Sequence, residues 1–348
     1  MTKKLIAALL CLCLVSLSVC SLADGTLNVL NYGEYIDEQV LYNFEKEYGV
    51  KVNYTLNDTP EAMYTKLQTG VSYDVVITSD YMIDRLIREK KVMPLDKGII
   101  TNIDQLSDQV KNLYYDPDNT YSVPYLWQNV VLCYDTTKID PAKVEEKGWA
   151  ILHDPELSGH VFLFDSPRDI FMMALKALGY SMNTESREEL QAAFDWLVTM
   201  NQTIHPSYVG DEMIDGMAQG EKWLAMMYSG DAVYASMENE KLAVWAPAEG
   251  TNIAVDAMFI PSNAGNPELA NKFINYVLDY ENSMMITVET CYCSPNAKVA
   301  EDVTAPGGEF EGIEWYVPRT GYEKDEMYTD NDLLKTETPE LLVKVKLQ

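Results

Sequence analysis

The chain has 348 residues, with 54 acidic against 26 basic side chains and a formal net charge of -28. So acidic a surface repels a phosphate backbone and excludes nucleic acid as a partner, while it draws cations. Of six cysteines, Cys11, Cys13 and Cys20 fall in or beside the first apolar stretch, leaving Cys133, Cys291 and Cys293, an odd set without the spacing of a disulfide framework and expected as buried free thiols.

Met1 to Lys4 is a short basic region, and Leu5 to Val19 is almost wholly apolar. That run is shorter than the ~20 residues a membrane-spanning helix needs, so it reads as a secretory signal. Leu17-Ser18-Val19-Cys20 reads as a lipobox, with residues 1–20 removed or modified and Cys20 acylated as the first mature residue. Val19 departs from the small residue usual there, and cleavage after Ser21-Leu22-Ala23 is the competing reading. No later stretch is long and apolar enough to cross a membrane, so the expectation is a soluble domain held to a membrane by lipid alone. Roughly 325 residues then remain, enough for two domains.

The mature chain opens with strand–helix alternation. Thr26 to Leu30 reads as a strand, and Asp37 can cap a helix whose Val40, Leu41, Phe44 and Tyr48 share a face, stopped by Gly49. Val50 to Leu56 alternates as a strand, Thr59-Pro60 starts a helix that Gly70 ends, and Tyr73 to Thr78 is a near-continuous apolar strand. This order implies a parallel sheet with helices on its faces. The pattern restarts at a strand over His160 to Phe164, a helix from Pro167 to Leu178 closed by Gly179, a helix over Glu188 to Met200, a buried strand from Trp223 to Tyr228 and a helix from Asp231. Two α/β halves without a flexible linker suggest two lobes joined by crossing strands, expected at Val130 to Asp135 and Asn252 to Ile260.

Catalytic signatures are scarce. His153, His160 and His205 lack metal-ligand spacing, and there is no glycine-rich phosphate loop, nucleophile elbow or zinc signature, so neither a cofactor nor a metal is expected. What remains is a set of tyrosines and carboxylates at the C-terminal ends of the expected strands, where open α/β sheets place ligands. They are Tyr32, Glu34 and Tyr35; Ser79 and Tyr81; Asp165 to Asp169; Tyr228 and Asp231; and Asp256. Carboxylates hold ammonium groups by charge-assisted hydrogen bonds, and aromatic faces suit both methylenes and cations. Plainer roles compete. Ser166-Pro167-Arg168-Asp169 is a good helix start with Asp169 completing a capping box, and Asp231 can cap its own helix. Asp256 interrupts an apolar strand, and a buried carboxylate needs a partner. A hydrolase using Asp165 and Asp169 as an acid/base pair is the competing enzyme reading.

Seven collinear segments carry a resemblance: LNYGEYI (30–36), YDVVITSDYMIDRL (73–86), YSVPYLWQNVVLCYD (121–135), FDSPRDIFMMALKALGYS (164–181), MMYSGDAVYA (226–235), VDAMFIPSNA (255–264) and CYCSPNAK (291–298). Together they resemble the polyamine-binding receptors of bacterial ABC transporters, the spermidine/putrescine and putrescine receptors. The resemblance implies the type II periplasmic binding protein fold, two α/β lobes closing on a ligand in the cleft between them. It implies a monomeric, non-enzymatic, periplasmic protein that hands a polyamine to a membrane permease. The lobes are expected over 26–131 with 256–298, and over 132–255 with 299–348. Another cationic solute on the same fold is the nearest rival.

By the same resemblance, Tyr32 and Tyr35 form an aromatic wall with Ser79 and Tyr81 nearby, and Tyr228 and Tyr292 supply further walls. Asp256 is the recognition aspartate and Asp169 the acidic residue at the opposite amine. Asp231 and Ser166 match the putrescine-selective type, since the spermidine-preferring type has serine and aspartate at these two positions. Ala254 and Gly33 depart from the family, which has a large aromatic and a small hydroxyl residue there. The expected arrangement places one ammonium on Asp256 and Asp231 and the other on Asp169 with Glu34. Tyr32, Tyr35, Tyr81, Tyr228 and Tyr292 enclose the methylenes. From Glu309 onward the chain matches poorly, and no site residue is expected there.

Overall fold

The computed structural model describes residues 25–348; the signal segment and Cys20 lie outside the described residues. Local chemistry accounts for where the helices start and stop. The Asp37 carboxylate accepts from the Gln39 amide ahead of helix Glu38–Tyr48, and Gly49 ends it at φ 67°, a left-handed conformation that a side chain disfavours. Thr59 caps helix Pro60–Gln68, and Ser166 caps helix Pro167–Ala177, both with proline in the first turn. Val40 and Phe44 bury the inner face of the first of these helices.

Among the described residues ten strands form two sheets: β1 (Thr26–Tyr32), β2 (Lys51–Asn57), β3 (Val75–Ser79), β4 (Ser122–Gln128), β5 (Val130–Asp135), β6 (Val161–Phe164), β7 (Ser207–Val209), β8 (Leu224–Tyr228), β9 (Leu242–Trp245) and β10 (Ala254–Phe259). The first sheet runs β2-β1-β3-β10-β4 and the second β7-β6-β8-β5-β9. In the first, β1 is parallel to β2 and β3, and β10 is antiparallel to β3 and β4. In the second, β6 is parallel to β7 and β8, and β5 is antiparallel to β8 and β9. The two halves therefore repeat one topology: a parallel trio and one strand inserted from the other half of the chain. Helices cover the faces, so the inner strands are buried on both sides, while the edge strands β2, β7 and β9 keep partly exposed residues.

The strands expected to cross each belong wholly to one sheet. The chain crosses at Asn129, and again between Trp245 and Ala254. Val130 and Val131 consequently lie in the second sheet, and Ala254 and Val255 in the first, opposite to the expected boundaries. Within residues 121–135 the polar pair Gln128-Asn129 interrupts the apolar run at the crossing, but no glycine or proline fixes the boundary there. Hydrogen bonds pin the crossings together: Thr251 donates to the Val130 carbonyl at 2.6 Å, and the Val130 amide donates to Asn252 Oδ1 at 2.7 Å.

A third passage between the halves follows the helix Ala297–Thr304. Residues 305–331 lead to the last helix, Asp332–Lys346, which packs on helices Pro167–Ala177 and Arg187–Ile204. Glu326 bridges to Asn252 and forms an ion pair with Lys176, whose side chain is 4% exposed and also donates to the Lys324 carbonyl at 2.6 Å. Removing one member of a buried pair leaves the other charge uncompensated. Glu326→Ala is therefore expected to lower stability by about 3 kcal/mol in denaturant unfolding; an unchanged midpoint would show that the Lys324 carbonyl alone satisfies the ammonium. Among the described residues Cys133, Cys291 and Cys293 are free and buried, and no helix is long and apolar enough to cross a membrane.

Candidate functional site

The C-terminal ends of β1, β3, β6 and β8 meet between the two sheets with β10, and the expected site residues gather there. On the first half, Asp256 pairs in register with Ser79 of β3 and Leu126 of β4, and the register slips between Asp256 and Ala257. A bulge of this kind re-aims a side chain within an otherwise apolar strand. Asp256 Oδ2 accepts the Tyr35 hydroxyl at 2.7 Å. The Tyr35 ring meets Tyr32, Tyr125 and Tyr292 edge-on at 5.8, 5.5 and 5.1 Å between centroids. Burial pushes the Asp256 carboxyl up to about 6, against the Tyr35 hydrogen bond that favours its charged form.

On the second half, Ser166 accepts from the Asp169 amide at 3.4 Å, so the helix start is real. The Asp169 carboxylate nevertheless turns to tyrosines: Tyr328 donates to Oδ1 at 2.6 Å and Tyr228 to Oδ2 at 2.9 Å. Asp231 sits in the first turn of helix Ser229–Glu238, which begins without any side-chain cap. Its Oδ1 instead accepts the Tyr292 hydroxyl at 2.7 Å, from the other half of the molecule. Burial pushes this carboxyl up to about 7; the Tyr292 bond opposes, and the charges of Asp211 and Glu34 reinforce. The capping alternative for Asp231 therefore fails, while Asp169 serves the site from within a genuine helix start. Gly230 lets the two halves approach, because a Cβ there would lie 2.5 Å from ring atoms of Tyr292.

Three expected residues stand apart. Glu34 is exposed, in a left-handed turn at φ 48°, and its charge acts on Asp231 and Asp211, not at the Asp169 end. Two successive turn residues after β1 swing it to the rim. Tyr81 does not join the Tyr35 cluster; its hydroxyl donates to Glu61 Oε1 at 3.1 Å and its ring carries the Arg168 guanidinium at 3.7 Å. The Ser79 hydroxyl is buried without a hydrogen-bond partner. Asp165 is 44% exposed and ion-pairs with Lys346, so it forms no acid/base pair with the tyrosine-bound Asp169. Gly33 faces open space, and Ala254 is buried on β10.

Sequence reasoning missed Asp80, Tyr328 and Arg168. Asp80, the first residue of the helix after β3, is fully buried; its Oδ1 accepts from the Tyr81 amide at 2.7 Å and its Oδ2 has no partner. Burial, with the nearby charge of Asp256, pushes it up to about 8. A carboxylate at a strand end, flanked by the two residues that were named, was the available signal. Tyr328 comes from the tail that carried no recognisable pattern. Arg168 lay hidden inside a helix-start motif. The site thus holds four buried carboxylates bonded mainly to tyrosines, and among the described residues none of Asp80, Asp169, Asp231 and Asp256 forms an ion pair. Tyrosine rings and buried carboxyl groups thus line the cleft between the two sheets.

A family model for bacterial extracellular solute-binding proteins matches residues 39–308. The spermidine/putrescine-binding periplasmic protein of Escherichia coli is 34% identical over 275 residues, 78% of this chain and 78% of its own length. The putrescine-binding periplasmic protein SpuD of Pseudomonas aeruginosa is 31% identical over 321 residues, 85% of this chain and 86% of its own. Among solved structures, the spermidine/putrescine ABC transporter substrate-binding protein PotD of Streptococcus pneumoniae superposes with a TM-score of 0.79 at 31% identity, over 93% of this chain and 99% of that one.

Proposed function

The chain belongs to the bacterial extracellular solute-binding proteins, and on that premise we propose that it captures a short linear polyamine, putrescine before spermidine, and delivers it to the permease of an ABC transporter. The observation that carries this reading is the set of buried aspartates held by tyrosine hydroxyls, with no cation paired to them among the described residues. At neutral pH putrescine has two ammonium groups joined by four methylenes. One ammonium goes to Asp256 and Asp231 and the other to Asp169, while Tyr32, Tyr35, Tyr228 and Tyr292 sheathe the methylenes and exclude water. Cation–π contacts add roughly 0.5–2 kcal/mol each. Neutral and anionic solutes leave these carboxylates uncompensated and bind poorly. Closure of the halves on the ligand gives the permease a form to recognise. Cys20 carries the lipid that tethers the protein; a Cys20→Ala chain should then appear in the soluble fraction, and retention on membranes would refute the anchor.

Calorimetric titration of the refolded, ligand-stripped domain with putrescine, spermidine, cadaverine and arginine tests the proposal. One-to-one binding of putrescine with arginine silent is expected. Silence toward every polyamine would overturn it.

Protons should follow the ligand. In the free protein burial holds Asp231 and Asp256 up to about 7 and about 6, and a bound ammonium favours the charged carboxylate. Binding therefore releases protons, and affinity falls as pH drops from 8 to 5. The ligand keeps its charge throughout, since alkylamines titrate near the lysine value of about 10. A loss of about tenfold or more at pH 5 is expected, and equal affinities would mean that these carboxylates do not hold the amines. Because the folded values lie above the unfolded ones, the ligand-free protein is most stable below about pH 4 as far as these groups go and loses that stability as pH rises through their folded values. The ligand-induced rise in Tm should accordingly grow with pH.

A further inference from the structure

Gln128 is the last residue of β4, immediately before the chain crosses at Asn129. It is 8% exposed, and its side-chain oxygen Oε1 is buried without a hydrogen-bond partner among the described residues. A buried polar atom left in that state is uncommon in a folded protein and calls for a partner. Two constraints fix where this one lies. In the sheet, Gln128 stands directly opposite Ala254 of β10 and Leu126 opposite Asp256, so Gln128 and Asp256 are diagonal neighbours on one face of the ladder. Such diagonal pairs are about 7–8 Å apart at the backbone, within reach of long side chains. The register slip falls on the far side of Asp256, so these pairings are regular, and Ala254, their common neighbour, brings only a methyl group. At the crossing, the Ser229 amide donates to the Asn129 carbonyl at 2.9 Å and the Asn129 amide to Ser229 Oγ at 3.3 Å. These two bonds tie the residue after Gln128 to the start of helix Ser229–Glu238, whose first turn carries Asp231. Gln128 is thereby held between the elements that present Asp256 and Asp231.

We propose that Gln128 is a further ligand residue: its Oε1 accepts the third N–H of the ammonium that Asp256 and Asp231 hold. The inference rests on the polyamine reading above. A primary ammonium has three donors. The two carboxylates accept one each, and in a desolvated cleft a third donor without an acceptor opposes binding. A neutral amide oxygen supplies that acceptor without burying another negative charge beside the two already there. The consequence is selectivity by degree of substitution. A primary amine meets all three acceptors, whereas an N-methylated amine has one N–H fewer and leaves the amide oxygen unpartnered.

The test compares putrescine with N,N′-dimethylputrescine, which keeps both charges and the same methylene chain but has one N–H fewer at each end. Both are titrated by calorimetry into ligand-stripped wild type, Gln128→Leu and Gln128→Met, with melting curves to establish folding. The wild type should favour putrescine by about tenfold or more. In Gln128→Leu putrescine should lose about tenfold in affinity while the methylated amine changes little, so the preference shrinks by about that factor. The effect of methylation at the Asp169 end is common to all three proteins and cancels in the comparison. The ligand-free variant should melt at or above the wild-type temperature, because an unpartnered buried acceptor has been removed. Should Gln128→Leu fail to fold, Gln128→Met, similar in length and without the oxygen, must show the same loss of preference. An undiminished preference in a folded variant, with wild type still binding putrescine, overturns the role of Gln128 alone. A wild type that binds the two amines equally overturns it too. A wild type that binds neither removes the polyamine reading and this proposal with it.

Discussion

Replacing Asp256 by asparagine is expected to weaken putrescine binding by about a hundredfold or more, and Asp231→Asn by a similar factor. Asparagine has almost the same shape and still offers an oxygen to the Tyr35 or Tyr292 hydroxyl, which the wild-type carboxylates accept at 2.7 Å in both cases. Only the charge is lost. Truncating one partner of a buried, hydrogen-bonded charge pair costs 2–5 kcal/mol or more, much of it from the charge left unpaired, and at about 1.4 kcal/mol per decade this spans roughly 30- to several thousand-fold. The free protein should not suffer, because burial already disfavours both carboxylates in their charged form. Near pH 8 the ligand-free variants should melt at or above the wild-type temperature. Loss of binding with an intact melting transition separates a ligand contact from a structural one; unchanged affinity in both variants removes these residues from the site.

Gly230→Ala should abolish closure without unfolding either half. The added Cβ would lie 2.5, 2.5 and 2.8 Å from ring atoms of Tyr292, and that ring cannot retreat freely because its hydroxyl is bonded to Asp231 and its edge packs on Tyr35. Alanine is the better helix former by about 1 kcal/mol, so helix Ser229–Glu238 itself gains. Gly230 and Tyr292 belong to different halves, so the strain is relieved by opening the cleft. Affinity should fall by about a hundredfold, and the decrease in radius of gyration on ligand addition that small-angle scattering is expected to show for the wild type should be absent from the variant. Normal affinity would mean that the Tyr292 wall yields and that the close approach at Gly230 is not required for capture.

Much of the architecture was legible in short stretches of chain. Asp37 and Gly49 bound one helix, Thr59 and Pro60 start another, and Ser166 and Pro167 start a third, because caps and breakers act through backbone groups within a turn of themselves. The apolar strands over residues 73–78 and 223–228 appeared within two residues of their expected limits. The exchange of strands between sheets was legible only as an event: the polar pair Gln128-Asn129 interrupts the run at the crossing, yet no glycine or proline marks it and the flanks on both sides are equally apolar.

The site divides along the same line. Sequence pattern and resemblance were sufficient to place tyrosines and aspartates at strand ends, and so to name the chemistry: short-range alternation decides which residues finish a strand, and strand ends in α/β sheets face the cleft. Whether a given aspartate caps a helix or faces a ligand is a question about direction. Asp169 and Asp231 occupy equivalent first-turn positions, yet both carboxylates are drawn to tyrosines, one of them 61 residues away in the chain and the other 159. Such partners, like Tyr328 from the tail or Arg168 between two rings, meet only after the halves have folded and docked. Hydrogen bonds and cation–π contacts depend on distances of a few ångströms between segments far apart in the chain, and no local pattern encodes them.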